Sequence, residues 1–275
     1  MSKLYNGAGS EIALQEVERL KAMASVNLEY GRTEGAGYYL LRIPKYTLDG
    51  KRITPKVAVT AANGSVSGTK VSTLAFAKRE NPIVTVNAGL FNTSTMIPQG
   101  QTIIDGVSMT NSPMTDDMGT AISDHECYPL CIDAEGNLSA PYARSVDTAD
   151  MIADGVQYAV TAWGKFIEDF AATDTTVFQE IVHPDAYIRQ CIGQYDNGDY
   201  FVCTVDKARL GIAANDAGMT YATLAALLIS KGVKFAYSLD GGGSCETVIG
   251  KRQINPIYEG DSGRAVPTVI YFDVE

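Results

Sequence analysis

An apolar strand, Phe235-Ala236-Tyr237-Ser238-Leu239, runs directly into Asp240-Gly241-Gly242-Gly243-Ser244, setting one carboxylate, three glycines and a hydroxyl side by side. Consecutive glycines carry no Cβ, so a ligand can approach their N–H groups closely and positive φ angles cost little. An aspartate at the mouth of such a loop is a candidate acid, base, nucleophile or metal ligand. The plainer reading is a tight turn after an edge strand, so the surroundings have to decide. A P-loop is excluded, because no Lys-Ser/Thr pair follows the glycines and Ser244 to Lys251 reads as a further strand and turn, not a helix. The loop also lacks the Gly-x-Gly-x-x-Gly spacing that opens a helix in a dinucleotide fingerprint.

Other chemistry-bearing residues are sparse. The five cysteines (Cys127, Cys131, Cys191, Cys203, Cys245) are scattered, and only Cys127-x-x-x-Cys131 is close-spaced. With Pro129 between them and His125 and His183 as the two histidines, a zinc site is not expected, and the cysteines read as reduced core thiols. His183, before Pro184, has the titration range of a proton shuttle, but an exposed loop histidine is the commoner case. No contiguous stretch has the spacing of a calcium loop.

The elements that must position the loop come from periodicity. Ser10 followed by Glu11 to Met23 reads as a capped helix, and residues 1–36 as a helical appendage or assembly element. From Tyr38 onward short strands are expected over 38–43, 57–61, 83–87, 101–104 before Asp105-Gly106, 129–133 and 156–162, with Trp163-Gly164-Lys165 as a turn. Residues 188–195 and 200–205 flank Asp196-Asn197-Gly198-Asp199, whose Asn-Gly favours a tight hairpin. Thr220 is the expected N-cap of a helix over 221–231, with Leu224, Leu227 and Leu228 inward and Gly232 as its stop. A last strand, 266–272, closes the chain. This order predicts an α+β fold: residues 37–275 as one domain with a mostly antiparallel, curved β-sheet packed by a few helices.

Of the 275 residues 45% are hydrophobic and 20% charged, the balance of an ordinary globular protein. The formal net charge of −10 argues against nucleic acid or an anionic membrane as partner. The first residues lack an apolar signal region and no apolar run is long enough to span a bilayer, so a cytoplasmic protein or one carried on a phage particle is expected.

Five motifs, in this order, resemble the phosphodiester glycosidase family: Val86-Asn87-Ala88-Gly89-Leu90-Phe91; Ile188-Arg189-Gln190-Cys191-Ile192-Gly193; Gly218-Met219-Thr220 before a helix; Leu239-Asp240-Gly241-Gly242-Gly243-Ser244; and Arg264-Ala265-Val266-Pro267. The likeness is clearest over residues 80–275, and an ordered set is far more specific than any one motif. The chain departs from the family pattern at Leu90, where two aromatics are common, at Gln190-Cys191, where Arg is usually followed by Thr-Ala, and at Cys245-Glu246, where small or hydroxyl residues are usual.

The resemblance implies hydrolysis of a sugar-1-phosphodiester of the N-acetylglucosamine-1-phosphate type. Asp240 is then the carboxylate at the anomeric carbon, with Asp206, beside Arg209, and Glu246 as further carboxylates. Arg189 and Arg264 are the phosphate partners, the N–H groups of Gly241, Gly242 and Gly243 and the Ser244 hydroxyl an oxyanion nest, and Asn87 and Phe91 substrate contacts. Each has a plainer alternative: a turn-capping Asp240, surface ion pairs for the arginines, a strand-end turn at Asn87, a solvent-facing Glu246. No cofactor is required by the sequence; Ca²⁺ or Mg²⁺ on Asp240, Asp206 and Asn87 stays open. The other reading is a non-catalytic carbohydrate-binding or assembly protein, such as a phage tail component, oligomeric through residues 1–36.

Overall fold

The computed structural model describes residues 8–33, 35–112, 128–143, 145–175, 186–206, 217–258 and 262–275. Their helices are α1 (Ala8–Ser25), α2 (Thr73–Glu80), α3 (Thr148–Ala153) and α4 (Tyr221–Ser230). The first strands are β1 (Asn27–Thr33), β2 (Ala36–Ile43), β3 (Ile53–Val59), β4 (Val71–Ser72), β5 (Val84–Asn87), β6 (Gly100–Ile104) and β7 (Val107–Ser112). There follow β8 (Pro129–Ile132), β9 (Leu138–Ser139), β10 (Tyr158–Thr161), β11 (Gly164–Glu168), β12 (Ala171–Ala172), β13 (Arg189–Tyr195) and β14 (Tyr200–Val205). The last are β15 (Val233–Ser238), β16 (Thr247–Ile249), β17 (Arg252–Gln253), β18 (Ala265–Val266) and β19 (Thr268–Val274).

The α+β class and the antiparallel pairing hold, but the strands are divided among several sheets instead of lying in one. A seven-stranded sheet has the order β1-β2-β14-β13-β15-β11-β12, and two five-stranded sheets have the orders β7-β6-β10-β8-β9 and β17-β16-β5-β19-β3. The main core lies where they face one another and contains Leu41, Ile53, Val86, Val160, Ile192, Tyr237 and Ile270. On its other face the seven-stranded sheet carries α4, whose Tyr221, Leu224 and Leu228 meet Phe166, Cys191, Cys203 and Ala236. The strands β13 and β14 are buried on both faces, which is why they lack a clean polar alternation.

Local signals place several elements as expected. The Asn-Gly turn joins β13 to β14 in register Arg189↔Val205 through Gln194↔Tyr200. The Thr220 hydroxyl accepts from the Thr223 N–H and caps α4. Other expectations need correcting. Ser10, expected to cap α1, lies inside the helix, whose described residues run Ala8–Ser25. The boundary expected at residue 36 falls inside a hairpin: β1 pairs with β2 along its whole length and forms an edge of the large sheet. Only α1 lies outside the sheets, and even there Ala22 joins the core. Gly164 and Lys165 are the start of β11, not a turn, because β15 supplies their partners Ser238 and Tyr237. α2 was not anticipated, although Ser72 accepts from the Ala75 N–H and Asn81, at φ 60°, ends it in the left-handed conformation.

His125, Cys127, His183 and Arg209 lie outside the described residues. The other four cysteines are buried free thiols. Among the described residues no helix is long and apolar enough to cross a membrane.

Candidate active site

Three chain segments from three sheets meet at Asp240. β5 runs into Ala88-Gly89-Leu90, β10 runs through Ala162-Trp163 into β11, and β15 runs into Leu239-Asp240. The Asp240 N–H donates to the Ala88 carbonyl at 3.0 Å, the Leu90 N–H to the Thr161 carbonyl at 2.9 Å, and the Trp163 N–H to the Ser238 carbonyl at 3.2 Å. A Cβ on Gly89 would lie 2.9 Å from the Thr161 carbonyl oxygen, so only glycine permits this approach.

Beyond Asp240 the glycines form one 3₁₀ turn, Gly242–Ser244. Gly242 sits at φ +59°, where any side chain would also press on the Tyr187 ring. Its N–H donates to the Ile188 carbonyl at 3.4 Å and is therefore spent on the fold. The N–H groups of Gly241 and Gly243 meet no acceptor among the described residues, so the expected nest is reduced to these two donors and the Ser244 hydroxyl. That hydroxyl is buried and accepts from Arg264 Nη1 at 3.3 Å, which ties the last motif to the glycine turn.

Arg189 is only 2% exposed, so the surface ion-pair alternative does not hold for it. Its guanidinium lies 4.2 Å from the centre of the Tyr221 ring, and its Nε donates to the Met219 carbonyl at 3.2 Å. Tyr221 in turn shares a 2.8 Å hydrogen bond with Ser238, next to the Leu239-Asp240 segment. Burial holds the Cys245 thiol well above its ordinary range; the Asp240 carboxylate raises it further, while Arg189 and Arg264 act in the opposite sense. The charges of one carboxylate and two guanidinium groups, from three motifs, thus act on the same buried thiol.

Asn87 has a different place from the one expected. It is fully buried; its Nδ2 donates to the Asp240 carbonyl at 2.7 Å, and its Oδ1 accepts from the Glu246 N–H at 3.1 Å. It clamps the backbone on both sides of the glycine turn. Phe91 is buried with Phe76, Val266 and Val269, and so packs under the strand that follows Arg264. Asp206 follows β14 and accepts from the Tyr258 hydroxyl at 2.6 Å. The order β14-β13-β15 sets Asp206 and Asp240 at the same end of the sheet with β13 between them, two strand spacings or roughly 10 Å apart at the backbone.

Glu246 is 3% exposed, and burial pushes its carboxyl up to about 7. It lies at the N-terminus of α2, where the Thr73 and Leu74 N–H groups and Lys78 partly offset the burial, although neither carboxylate oxygen completes a hydrogen bond of normal geometry. A Cβ on Gly263 would sit 2.9 Å from its Oε1. Glu246 thus lies against the Gly263-Arg264 segment, and the plainer alternative, that it faces solvent, does not hold. Tyr187 and Tyr221, which flank Arg189, were not singled out; Tyr187-x-Arg189 on one strand face is the signal that finds the first. Among the described residues no three His, Cys, Asp or Glu side chains come together as metal ligands.

Comparison with known proteins bears on this geometry. Over residues 80–273 the chain matches the family model described as phosphodiester glycosidase. The chain belongs to the phosphodiester glycosidase family. A catalytic domain of zebrafish N-acetylglucosamine-1-phosphodiester alpha-N-acetylglucosaminidase, auto-inhibited by its pro-peptide, has a similar fold, with a TM-score of 0.65 at 17% identity over 90% of this chain and 82% of that one. A hypothetical protein from Synechocystis gives 0.63 at 14% identity, over 90% and 61%. An SPbeta prophage-derived uncharacterised protein of Bacillus subtilis, YomE, is 26% identical over 86% of this chain and 36% of its own length. The chain thus spans about a third of that relative.

In this phosphodiester glycosidase the residue after Arg189, Gln190, is the centre of a buried polar cluster. Gln190 Nε2 donates to Thr247 Oγ1 at 3.1 Å, its Oε1 accepts from Thr204 Oγ1 at 2.9 Å, and the two threonine hydroxyls are 2.7 Å apart. This buried polar cluster joins the seven-stranded sheet to β16, directly behind the glycine turn. All three residues are at most 1% exposed, so their hydrogen bonds to one another are what makes their burial tolerable.

Proposed function

We propose that this phosphodiester glycosidase hydrolyses the glycosidic bond of a sugar 1-phosphodiester, with Asp240 acting at the anomeric carbon as nucleophile or as the base that activates water. The observation that carries the proposal is the glycine turn itself: Asp240 opens it, Arg264 donates to its Ser244, Gly242 is bonded to the Ile188 carbonyl next to Arg189, and the Gly241 and Gly243 N–H groups are unspent among the described residues. A departing phosphate monoester has its second pKa near about 6, so it leaves far more readily than an alkoxide and needs little help from a general acid. What it needs is cationic and N–H donors, which a guanidinium fork and a glycine turn provide. Asp206, across β13, is the second carboxylate, placed to act on a water or on the leaving oxygen from the other side of a substrate lying over β13. A divalent cation would find its hard donors in Asp240 and Asp206, since the Asn87 amide oxygen is already engaged. The zebrafish neighbour's name, which specifies an N-acetylglucosamine 1-phosphodiester, supports that sugar as the first substrate to try.

The test is release of free sugar from an N-acetylglucosamine-1-phosphodiester by the purified chain. Arg264→Gln should lower kcat/KM by about 10²-fold, because it removes a charged donor from the phosphate. Glycan binding without release, across a set of hexose and hexosamine 1-phosphodiesters, would sink the hydrolase reading.

A second role, assembly, is favoured by α1. Leu14, Val17 and Leu20 are 44%, 47% and 51% exposed and line one side of the helix, opposite the Ala22 and Met23 side that packs on the core. A second copy of this chain would cover that stripe. Glutamates at the three positions should convert an oligomer to monomer in light scattering; a wild-type monomer counts against assembly.

A further inference from the structure

Trp163, the chain's single tryptophan, stands on the rim of the proposed site. Its N–H bonds the Ser238 carbonyl, and the next residue, Gly164, is the register partner of Ser238, so Trp163 lies beside the Leu239-Asp240 segment on the strand flanking β15. The sheet order fixes its neighbours: Asp206 after β14, Arg189 on β13, Asp240 after β15 and Trp163 before β11 follow one another across one end of the same sheet. Trp163 packs against the cluster that holds Tyr221 and Phe166, the face on which Arg189 stacks. It is only partly buried, and its indole Nε1 is shielded from solvent yet meets no hydrogen-bond partner among the described residues.

That combination is not what packing alone selects. A phenylalanine would fill an apolar niche without leaving a donor unsatisfied, and an orphaned buried N–H disfavours the fold. A large, rigid, partly exposed aromatic next to a few convergent polar groups is instead the makeup of a ligand site. On the hydrolase reading, with the phosphate over β13 held by Arg189, Arg264 and the glycine turn, a sugar ring that continues past Asp240 extends toward β11. A pyranose presents axial C–H bonds on one face, and these pack flat on an indole.

We propose that Trp163 is the stacking platform for the sugar ring and sets specificity for the glycone; this rests on the proposed hydrolase function. Trp163→Phe retains an aromatic face and should hold KM within about threefold, whereas Trp163→Leu, of similar apolar character, should raise KM about tenfold or more with kcat much less affected. A merely structural role would lower the melting temperature and kcat together in both variants without that split in KM. Because the chain has one tryptophan, its emission, excited where tyrosine does not absorb, reports the site directly. N-acetylglucosamine 1-phosphate titrated into Asp240→Asn protein should shift that emission saturably, in step with the heat measured by calorimetry. Heat without an emission change, or a Trp163→Leu variant with wild-type KM, overturns the role of Trp163 and leaves the hydrolase reading standing. An emission shift with no turnover of any phosphodiester in wild type supports the platform and overturns the hydrolase reading.

Discussion

Asp240→Asn is expected to abolish sugar release, by on the order of 10³-fold or more in kcat, with the melting temperature within a few degrees of wild type. Asp240 serves the fold through its backbone. Its N–H donates to the Ala88 carbonyl and its carbonyl accepts from the Asn87 amide, and an asparagine keeps both. The side chain is partly exposed at the junction of three sheets and acts on Cys245 together with Arg189 and Arg264. Substitution by the isosteric amide keeps the shape of the side chain and removes its charge and its nucleophile. Single-turnover release of sugar, paired with a thermal melt, checks both halves. A variant that retains a tenth of the wild-type rate would shift the carbon chemistry to Asp206, whose Asn variant would then be the inactive one.

What could be read in advance divides along a physical line. The β13–β14 hairpin, the helix after Thr220 and the strand before Asp240 are set by signals a few residues wide: an Asn-Gly turn, a hydroxyl cap, an apolar run. The ordered motifs single out Asp240, Arg189 and Arg264; in the structure Asp240 opens the glycine turn, Arg264 donates to Ser244 within it, and Arg189 follows Ile188, whose carbonyl accepts from the Gly242 N–H. Asn87 shows the limit. A motif identifies it as important, but only the meeting of β5 with the loop after β15 reveals that both ends of its amide are spent on backbone groups. Trp163-Gly164 reads locally as a turn because its strand partner, β15, lies far along the chain. The solvent-facing alternative for Glu246 fails for the same kind of reason. Alternation with Cys245 suggests that one of the pair faces water, whereas Cys245 is enclosed near Asp240 and Glu246 is covered by α2, which carries no long apolar run to announce it.

The burial of Glu246 carries the other large effect, which is expected in stability. Its carboxyl is raised from an ordinary 4.5 to about 7 in the folded chain. Between these values the native state holds a proton that the unfolded chain has lost, so stability falls as pH rises through this window. It is greatest below about 4.5 as far as this group is concerned, and the loss is complete above about 7. A shift of this size corresponds to about 3 kcal/mol, at about 1.4 kcal/mol per pH unit. Glutamine mimics the protonated acid at every pH. Glu246→Gln should therefore leave stability nearly unchanged near pH 4.5 and raise it at pH 8 by up to about 3 kcal/mol, flattening the pH profile. Urea unfolding of both proteins at the two pH values measures the difference. An effect equal at both pH values would mean that Glu246 keeps its charge in the folded state, held by the Thr73 and Leu74 N–H groups and Lys78. The carboxylate touches Gly263, next to Arg264, so its ionisation also bears on the segment that brings this guanidinium to Ser244. If the charge of Glu246 loosens this contact, Arg264 should lose its hold on Ser244 over the same pH range in which stability falls.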